Sequence, residues 1–213
     1  MIDKKLIQDW GKVDIGSLGL KEPWHGVAVF IGKQGSGKSV SALHACLTTL
    51  KNDGSKKVVY TNIFINDDRF IQLNEKDMAD TISNKNGNGE NCIFLLDEIH
   101  LYYYSKNRNS QEVITPFSQL RKRNIIVYGT SQVWFHLDKT IRDQALFLVP
   151  TSQAWFGLYF KNVWVPTTGY KISEEGFLEI TNKAFTSRFF RNRILFSLYD
   201  SYETVKLGGS PKG

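Results

Sequence analysis

The stretch FIGKQGSGKSV, residues 30–40, constrains the fold of this chain more than any other. It contains a glycine, four variable residues and then Gly-Lys-Ser, which is the pattern of a phosphate-binding loop. Glycines let backbone N–H groups curl around phosphate oxygens, and the start of a following helix adds the positive end of its dipole. We expect this loop to join a buried strand, residues 26–31, to a helix, residues 39–50. The expected nucleotide-binding set is Gly32, Lys33, Gln34, Gly35, Ser36, Gly37, Lys38, Ser39 and Val40.

Two side chains of the loop carry specific chemistry. Lys38 is expected to place its ammonium charge on the phosphates. Ser39 is expected to offer its hydroxyl to a magnesium ion. The alternative is an ordinary strand-turn-helix connection, but the apolar patterns on both sides of the loop favour phosphate binding.

A second stretch, NCIFLLDEIH at residues 91–100, places an uninterrupted apolar run directly before Asp97 and Glu98. Such a run is typical of a strand buried on both faces of a parallel sheet, and ligands bind at the carboxyl ends of such strands. We expect Asp97 to hold the magnesium ion, directly or through water, together with Ser39. Glu98 is the expected catalytic base that takes a proton from the attacking water. The alternative is that Asp97 only caps a helix.

Further apolar stretches predict the rest of the sheet. RKRNIIVYGTSQ, residues 121–132, contains a strand at 125–128 that leads to Gln132, our candidate for sensing the γ-phosphate or orienting water. A simple turn at the end of this strand is the alternative. Residues 56–63 and 145–149 predict two more strands. Strands that alternate with helical segments favour a three-layer α/β fold with a mainly parallel sheet.

The bulk properties agree with one soluble domain. The chain has 213 residues, 41% of them hydrophobic, and a formal net charge of +6. No apolar run reaches the ~20 residues that cross a bilayer, so we expect a cytosolic protein. Cys46 and Cys92 fall in expected core segments and are predicted to be reduced. The positive charge favours polyanionic partners but is weak support by itself.

Taken together, GKQGSGKS, FLLDE and RKRNIIVYGTSQ resemble the additional-strand, RecA-like P-loop ATPases of the FtsK and HerA superfamily, which includes viral genome-packaging ATPases. Arg121 precedes Gln132 by eleven positions, as in FtsK-like motors. Within this superfamily, VVYTNIFI at 58–65 and LYDSYE at 198–203 are similar to the zonular occludens toxin family of filamentous-phage assembly ATPases. The resemblance covers residues 27–149 and, more loosely, the remainder.

The resemblance implies ATP and Mg²⁺ as ligands and a homo-oligomeric ring, either a hexamer or a pentamer. It also implies an arginine that reaches the nucleotide of the neighbouring subunit, with Arg121 and Arg142 as candidates; a solvated surface role is the alternative for each. Filamentous-phage assembly proteins usually carry a transmembrane segment, which is absent from this sequence. We therefore favour a motor that packages viral DNA, double-stranded rather than single-stranded, in the host cytoplasm or on the virion. Capsid or portal-vertex proteins are further expected partners.

We expect a single domain over residues 1–213, divided into an N-terminal extension (1–24), a nucleotide-binding core (25–150) and a C-terminal part (151–213) with a strand pair, a helix and a tail. AWFGLYFKNVWV, residues 154–165, predicts the strand pair, turning around Lys-Asn. Two stretches are candidates for DNA contact: LYYYSKNRNSQ at 101–111, and TSRFFRNRILF at 186–196, which carries Arg188, Arg191 and Arg193. For the first stretch, tyrosines that pack on a neighbouring helix are the alternative. For the second stretch, an amphipathic helix with a solvated basic face is the alternative.

Other functions fit less well. DEIH matches the string of a helicase class, but those enzymes need two RecA-like domains. A GTPase should carry an Asn-Lys-x-Asp motif, which residues 182–185 do not complete. A small-molecule kinase would leave Glu98 and Gln132 without a task. A nucleotide-gated scaffold remains the non-enzymatic alternative.

Overall fold

The computed structural model describes residues 24–52, 58–85, 87–101, 117–173, 178–191 and 193–199. Within these residues the strands are β1 (Gly26–Ile31), β2 (Val59–Thr61), β3 (Phe70–Gln72), β4 (Ile93–Leu96), β5 (Ile126–Ser131), β6 (Ala145–Ala154), β7 (Tyr159–Pro166), β8 (Tyr170–Ile172), β9 (Leu178–Ile180) and β10 (Phe185–Phe190). Eight of them form one sheet in the order β10-β7-β6-β1-β5-β4-β2-β3. Strands β3, β2, β4, β5, β1 and β6 run parallel, while β7 and β10 add an antiparallel extension. A separate two-stranded antiparallel sheet consists of β8 and β9.

The described helices cover both faces of this sheet. Their bounds are α1 (Lys38–Asn52), α2 (Glu75–Ile82), α3 (Lys139–Gln144) and α4 (Arg193–Leu198), with 3-10 turns at Ile99–Leu101 and Trp134–His136. The apolar sequence of β1 explains the layering, because alternate residues of a strand face opposite sides. Val27 and Val29 pack with α2 and α3, whereas Ala28 and Phe30 pack with α1. The expected three-layer α/β fold is confirmed.

Helix α1 is fixed by the apolar stripe that follows the glycine-rich loop. Leu43 and Cys46 are fully buried against the sheet. Burial of one such leucine contributes about 1.5–3 kcal/mol. Because α1 starts at Lys38, this packing also fixes the position of the loop that precedes it. Cys46 and Cys92 are buried free thiols, and burial raises the pKa of Cys46.

The C-terminal extension differs from the sequence-based expectation in two places. The turn between β6 and β7 lies at residues 155–158, not at Lys161 and Asn162, which sit inside β7. Trp155 and Phe156 occupy it with positive φ angles of 51° and 56°, so the turn carries aromatic residues where turn composition normally signals glycine or asparagine.

The second difference concerns residues 186–190. They form most of edge strand β10, and the helix starts only at Arg193. The alternative for residues 186–196, an amphipathic helix, is therefore wrong in its first half. Hydrogen bonding of β10 to β7, with Phe189 buried, outweighs the helical spacing of the arginines.

Strand β6 is longer than expected and shapes the site. It pairs with β1 as far as Ile31 and Pro150, and then continues to Ala154 with only β7 beside it. The β6–β7 hairpin thus projects beyond the carboxyl end of β1, next to the loop that starts at Gly32.

None of the described helices has the length and hydropathy needed to cross a membrane. Several expected features lie outside the described residues: the first 23 residues of the N-terminal extension, the tyrosine-rich stretch after Leu101, residues 200–203 of LYDSYE, the C-terminal tail and the side chain of Arg193.

Candidate nucleotide-binding site

The phosphate loop follows β1 at the carboxyl edge of the sheet, and α1 begins inside the motif at Lys38. Lys38 is buried, and its Nζ donates a hydrogen bond to the carbonyl of Lys33 across the loop (3.2 Å). Gly37 has a φ of +89°, and a Cβ at this position would overlap the ring of Phe160 on β7. Only glycine meets both conditions, so the β6–β7 hairpin supports the loop directly.

Asp97 is the centre of a hydrogen-bond network that joins three elements. Its Oδ1 accepts from Ser39 Oγ on α1 (2.6 Å) and from Thr130 Oγ1 on β5 (2.7 Å). The predicted pair of Ser39 and Asp97 is thus in direct contact. Because Asp97 is buried, these two donors fix its carboxylate beside the phosphate loop.

The peptide of Asp97 is also held in place. The side chain of Asn62, just after β2, donates to the Asp97 carbonyl and accepts from the Asp97 N–H, both at 2.8 Å. Both groups are buried, so each bond satisfies a polar atom that would otherwise be left unpaired.

Glu98 follows with a positive φ of 49°, an uncommon conformation for this residue type. Its N–H donates to Thr130 Oγ1 at 2.8 Å, so one hydroxyl fixes both acidic residues. Gln132 Nε2 lies 3.4 Å from Glu98 Oε1, which makes a long hydrogen bond. The structure therefore brings together Glu98 and Gln132, as their positions after neighbouring strands predict.

His100 lies on the other side of the Glu98 carboxylate. Its Nδ1 is 3.2 Å from Glu98 Oε2 and 3.3 Å from Ser131 Oγ. The hydroxyl of Ser131 donates to the carbonyl of Val133, so it accepts from the ring, and we assign the proton of the neutral imidazole to Nδ1. Burial lowers the pKa of His100 although Glu98 raises it, which favours this neutral form.

Two buried polar atoms in this region have no hydrogen-bond partner among the described residues: Ser36 Oγ in the loop and Glu98 Oε2 beside it. Phosphate oxygens and a bound water would provide such partners. Ser39 Oγ and Asp97 are oxygen ligands of the type that Mg²⁺ prefers, and Mg²⁺ usually takes only one or two protein ligands when it binds with phosphates. No group of three or more His, Cys, Asp or Glu side chains in the described ranges could hold a metal ion by itself. The residues present therefore fit a magnesium–nucleotide complex.

The two candidate arginines lie elsewhere. Arg121 is exposed in the turn that leads into β5, and Arg142 lies on α3, just before β6. Both positions precede the amino ends of their strands, whereas the phosphate loop lies at the carboxyl ends. The guanidinium of Arg142 lies over the ring of Phe135, 5.7 Å from its centroid. The structure does not bring either arginine to the phosphate loop of its own chain.

Sequence reasoning did not assign roles to Asn62, His100 or Gln153, and it did not predict that Thr130 bridges the two acids. Gln153 donates a hydrogen bond to the Gly35 carbonyl from the β6–β7 hairpin. The sequence signal for Asn62 and Thr130 is their position near the carboxyl ends of strands. In the structure, both strands neighbour the strand that leads to Asp97. Their partners depend on sheet order, which strand patterns alone do not specify.

Comparison with known proteins gives the family. The model of the zonular occludens toxin (Zot) family matches residues 26–206, most of the chain. The chain belongs to the Zot family. None of the curated proteins matches it significantly.

Solved structures agree on the fold. The N-terminal domain of zonular occludens toxin from Neisseria meningitidis shares 17% identity, with a TM-score of 0.55 over 82% of this chain and 98% of that chain. The genome packaging NTPase B204 from Sulfolobus turreted icosahedral virus 2, in complex with sulfate, shares 10% identity, with a TM-score of 0.52 over 74% and 96%. B204 has also been solved in complex with ATP-gammaS; this structure matches with a TM-score of 0.51 and 10% identity over 73% of this chain and 96% of B204. This Zot-family chain thus has the α/β fold of P-loop NTPases.

Proposed function

We propose that this Zot-family protein is a magnesium-dependent ATPase that uses hydrolysis to move DNA. The observation that carries the proposal is the contact of Ser39 with Asp97, with Glu98 held beside it by Thr130. These contacts join the phosphate loop, the acidic strand and the neighbouring strand.

In the proposed reaction, the loop N–H groups and Lys38 bind the phosphates of ATP. Ser39 and Asp97 would hold the magnesium ion, which would supply positive charge to neutralise the phosphates. Glu98 takes a proton from water as the water oxygen attacks the γ-phosphorus and the bond to the β-phosphate oxygen breaks. Gln132 orients this water through its contact with Glu98.

We propose further that the enzyme is a ring of identical subunits, a hexamer or a pentamer, in which an arginine acts on the neighbour's nucleotide. Arg121 and Arg142 are the candidates. Both arginines lie near the amino ends of the strands, away from the phosphate loop of their own chain. This position supports action on the nucleotide of a neighbouring subunit. Positive charge placed on the γ-phosphate at the interface would couple hydrolysis to subunit contact.

For the biological task we propose packaging of a viral genome, in the host cytoplasm or on the virion, with capsid or portal-vertex proteins as partners. The fold shared with a genome packaging NTPase supports this task. Membership of the Zot family favours a second candidate, phage assembly or export. A nucleotide-gated scaffold differs from both in lacking turnover.

The first test measures ATP binding and turnover with and without DNA. Lys38→Ala should lose ATP binding, because it removes the charge paired with the phosphates. Glu98→Gln should bind ATP but hydrolyse it very slowly, since an amide cannot accept the proton. Glu75→Gln is the matched control, because Glu75 is exposed on α2 away from the site. Normal ATP turnover in Glu98→Gln would refute the assignment of Glu98 as the base. If the wild type shows no ATP turnover, the nucleotide-gated scaffold is the function that remains.

The second test mixes two inactive proteins, Glu98→Gln and an arginine-to-alanine variant at 121 or 142. In mixed rings, some interfaces pair an intact Glu98 with an intact neighbouring arginine and should hydrolyse ATP. Recovered activity identifies the arginine. If rings that demonstrably exchange subunits recover no activity with either variant, a different residue completes the site.

A further inference from the structure

The antiparallel extension of the sheet has an exposed face that the proposed ATPase chemistry does not use. We call it the outer hairpin face and define it by Trp155, Tyr159, Lys161, Arg188 and Phe190. Successive residues of a strand alternate between faces, and the paired positions Lys161 with Arg188 and Tyr159 with Phe190 place these side chains on one side. The opposite side carries Phe160 and Phe189, which are buried against α1 and the phosphate loop.

Three aromatic rings form a cluster at the outer end of this face. The ring centroids of Trp155, Tyr159 and Phe190 lie 5.3–6.1 Å from one another. Trp155 is 65% exposed and Phe190 is 43% exposed, so this cluster is not part of the core. The positive φ angles of Trp155 and Phe156 hold aromatic residues in a turn conformation that bulky side chains rarely adopt. Such strain is found most often at functional positions.

Two basic side chains lie next to this cluster. Lys161 and Arg188 are exposed and directly opposite each other in the β7–β10 pair. Like charges at such a pair repel, and neither makes an ion pair with a described residue. On β6, Ser152 pairs with Lys161 and Ala154 pairs with Tyr159. The face therefore has two cross-strand rows, one basic and one aromatic, and neither contains a carboxylate. An anionic group between the two side chains would remove the repulsion.

The spacing of the two rows suits a nucleotide. Lys161 lies two residues from Tyr159 along β7, which is about 7 Å in an extended strand. A base stacked on the aromatic cluster could therefore keep its backbone phosphate near the basic pair. Aromatic rings can stack on unpaired bases, whereas the bases of duplex DNA are paired and stacked inside the double helix.

We propose that the outer hairpin face binds single-stranded nucleic acid, with bases on Trp155 and Phe190 and phosphates on Lys161 and Arg188. The inference deepens the proposed DNA-moving function by assigning a contact surface. It also differs from the preference for double-stranded DNA drawn from the family resemblance. A second copy of this chain is the competing occupant for the exposed aromatic residues, and the experiments below distinguish it.

The face is connected to the nucleotide site through the same hairpin. Gln153 of β6 donates to the Gly35 carbonyl, and Phe160 of β7 contacts the loop at Gly37. Tyr159 is the immediate neighbour of Phe160 on the other side of the strand. A shift of the phosphate loop on ATP binding would therefore move the strands that carry the outer hairpin face, and affinity for the single strand should depend on ATP.

The experiment measures binding of a fluorescent 20-nucleotide oligothymidine by anisotropy, using the full-length chain with and without ATP and magnesium. Trp155→Ala should weaken binding by roughly 5- to 150-fold, the range that corresponds to loss of one base–aromatic stack. Phe190→Leu should also weaken it, because leucine keeps an apolar side chain without the ring. Phe64→Ala is the matched control, since Phe64 is 52% exposed elsewhere on the chain. Thermal melts confirm that each variant is folded.

The charge is tested separately. Arg188→Ala should make the plot of log affinity against log salt shallower by about 0.7, the value for one phosphate contact on a single strand. Lys171→Ala, an exposed basic position on β8, should leave the slope unchanged. An RNA oligonucleotide of the same length shows whether the face prefers DNA, and a duplex of the same length should bind at least tenfold more weakly.

Several results would overturn the inference. Equal losses for Trp155→Ala and Phe64→Ala would show that the aromatic cluster takes no part, and duplex binding as tight as single-strand binding would exclude unpaired bases as the ligand. If Trp155→Ala instead changes the oligomer mass without affecting oligonucleotide affinity, the face is an interface between copies. A protein that binds the oligonucleotide through this face but has no ATPase activity would refute the proposed function and leave the inference standing.

Discussion

Replacement of Thr130 by valine tests the network that holds the two acidic residues. The Thr130 hydroxyl accepts from the Glu98 N–H and donates to Asp97 Oδ1, whereas valine has nearly the same shape and neither bond. Loss of the bond to the carboxylate should remove about 1.5–3 kcal/mol, and the unpaired N–H about 1 kcal/mol more because it is only partly buried. We therefore expect Thr130→Val to lower the free energy of unfolding by about 2.5–4 kcal/mol.

Thr130→Ser is the matched control because it keeps the hydroxyl and loses only a buried methyl group, a change of about 1 kcal/mol. Urea unfolding of the nucleotide-free protein gives both values. For a chain of this size, the valine variant should also melt about 5–16 °C lower, taking 2–4 °C per kcal/mol. If Thr130→Val is as stable as Thr130→Ser, the hydroxyl does not fix the two acids in the way the geometry indicates.

Two further predictions concern histidines. His44 packs face to face with Phe189 at 4.0 Å, and burial lowers its pKa from 6.5 to about 4. The unfolded chain therefore binds a proton at this residue below about pH 6.5, but the folded chain does so only below about pH 4. The free energy of unfolding should fall as the pH is lowered from 6.5 to 4, by at most about 3 kcal/mol. In urea unfolding at pH 7 and pH 5, the stability of His44→Phe should depend less on pH than that of the wild type. His100→Ala should lower kcat about tenfold at unchanged KM for ATP, because the Glu98 carboxylate loses the ring nitrogen that lies 3.2 Å from its Oε2. His100→Asn should restore most of the rate, since its amide nitrogen can replace Nδ1, and equal rates for both variants would contradict this positioning role.

The sequence predicts the nucleotide core well because its signals are local. The glycines and Lys38 occur in one short loop, and the apolar runs before Gly32 and Asp97 are long enough to identify buried strands without any knowledge of their neighbours. The alternation of strands with helical segments then predicts a parallel sheet. Because the carboxyl ends of parallel strands lie at one edge of the sheet, Asp97 and Gln132 are expected near the phosphate loop.

The antiparallel extension was harder to predict because its signals conflict. Trp155 and Phe156 are unusual turn residues, so Lys161 and Asn162 were the better candidates on composition. Arg188 and Arg191 have helical spacing, whereas the pairing of residues 185–190 with β7 shows that this segment is a strand. These choices are made by tertiary contacts, which override local propensity in short segments.

The side chain of Asn62 allows β2 to leave the sheet beside the nucleotide site. Strand β2 ends at Thr61, and beyond it the Asn62 amide makes the two bonds to Asp97 that another peptide unit would have made. The side chain thus acts as one additional rung of the sheet. The main chain of β2 can leave the sheet at this level without leaving the Asp97 peptide unpaired. Space for a ligand is created beside the Asp97 carboxylate, while the Asp97 peptide keeps both hydrogen bonds that it would have in the centre of a sheet.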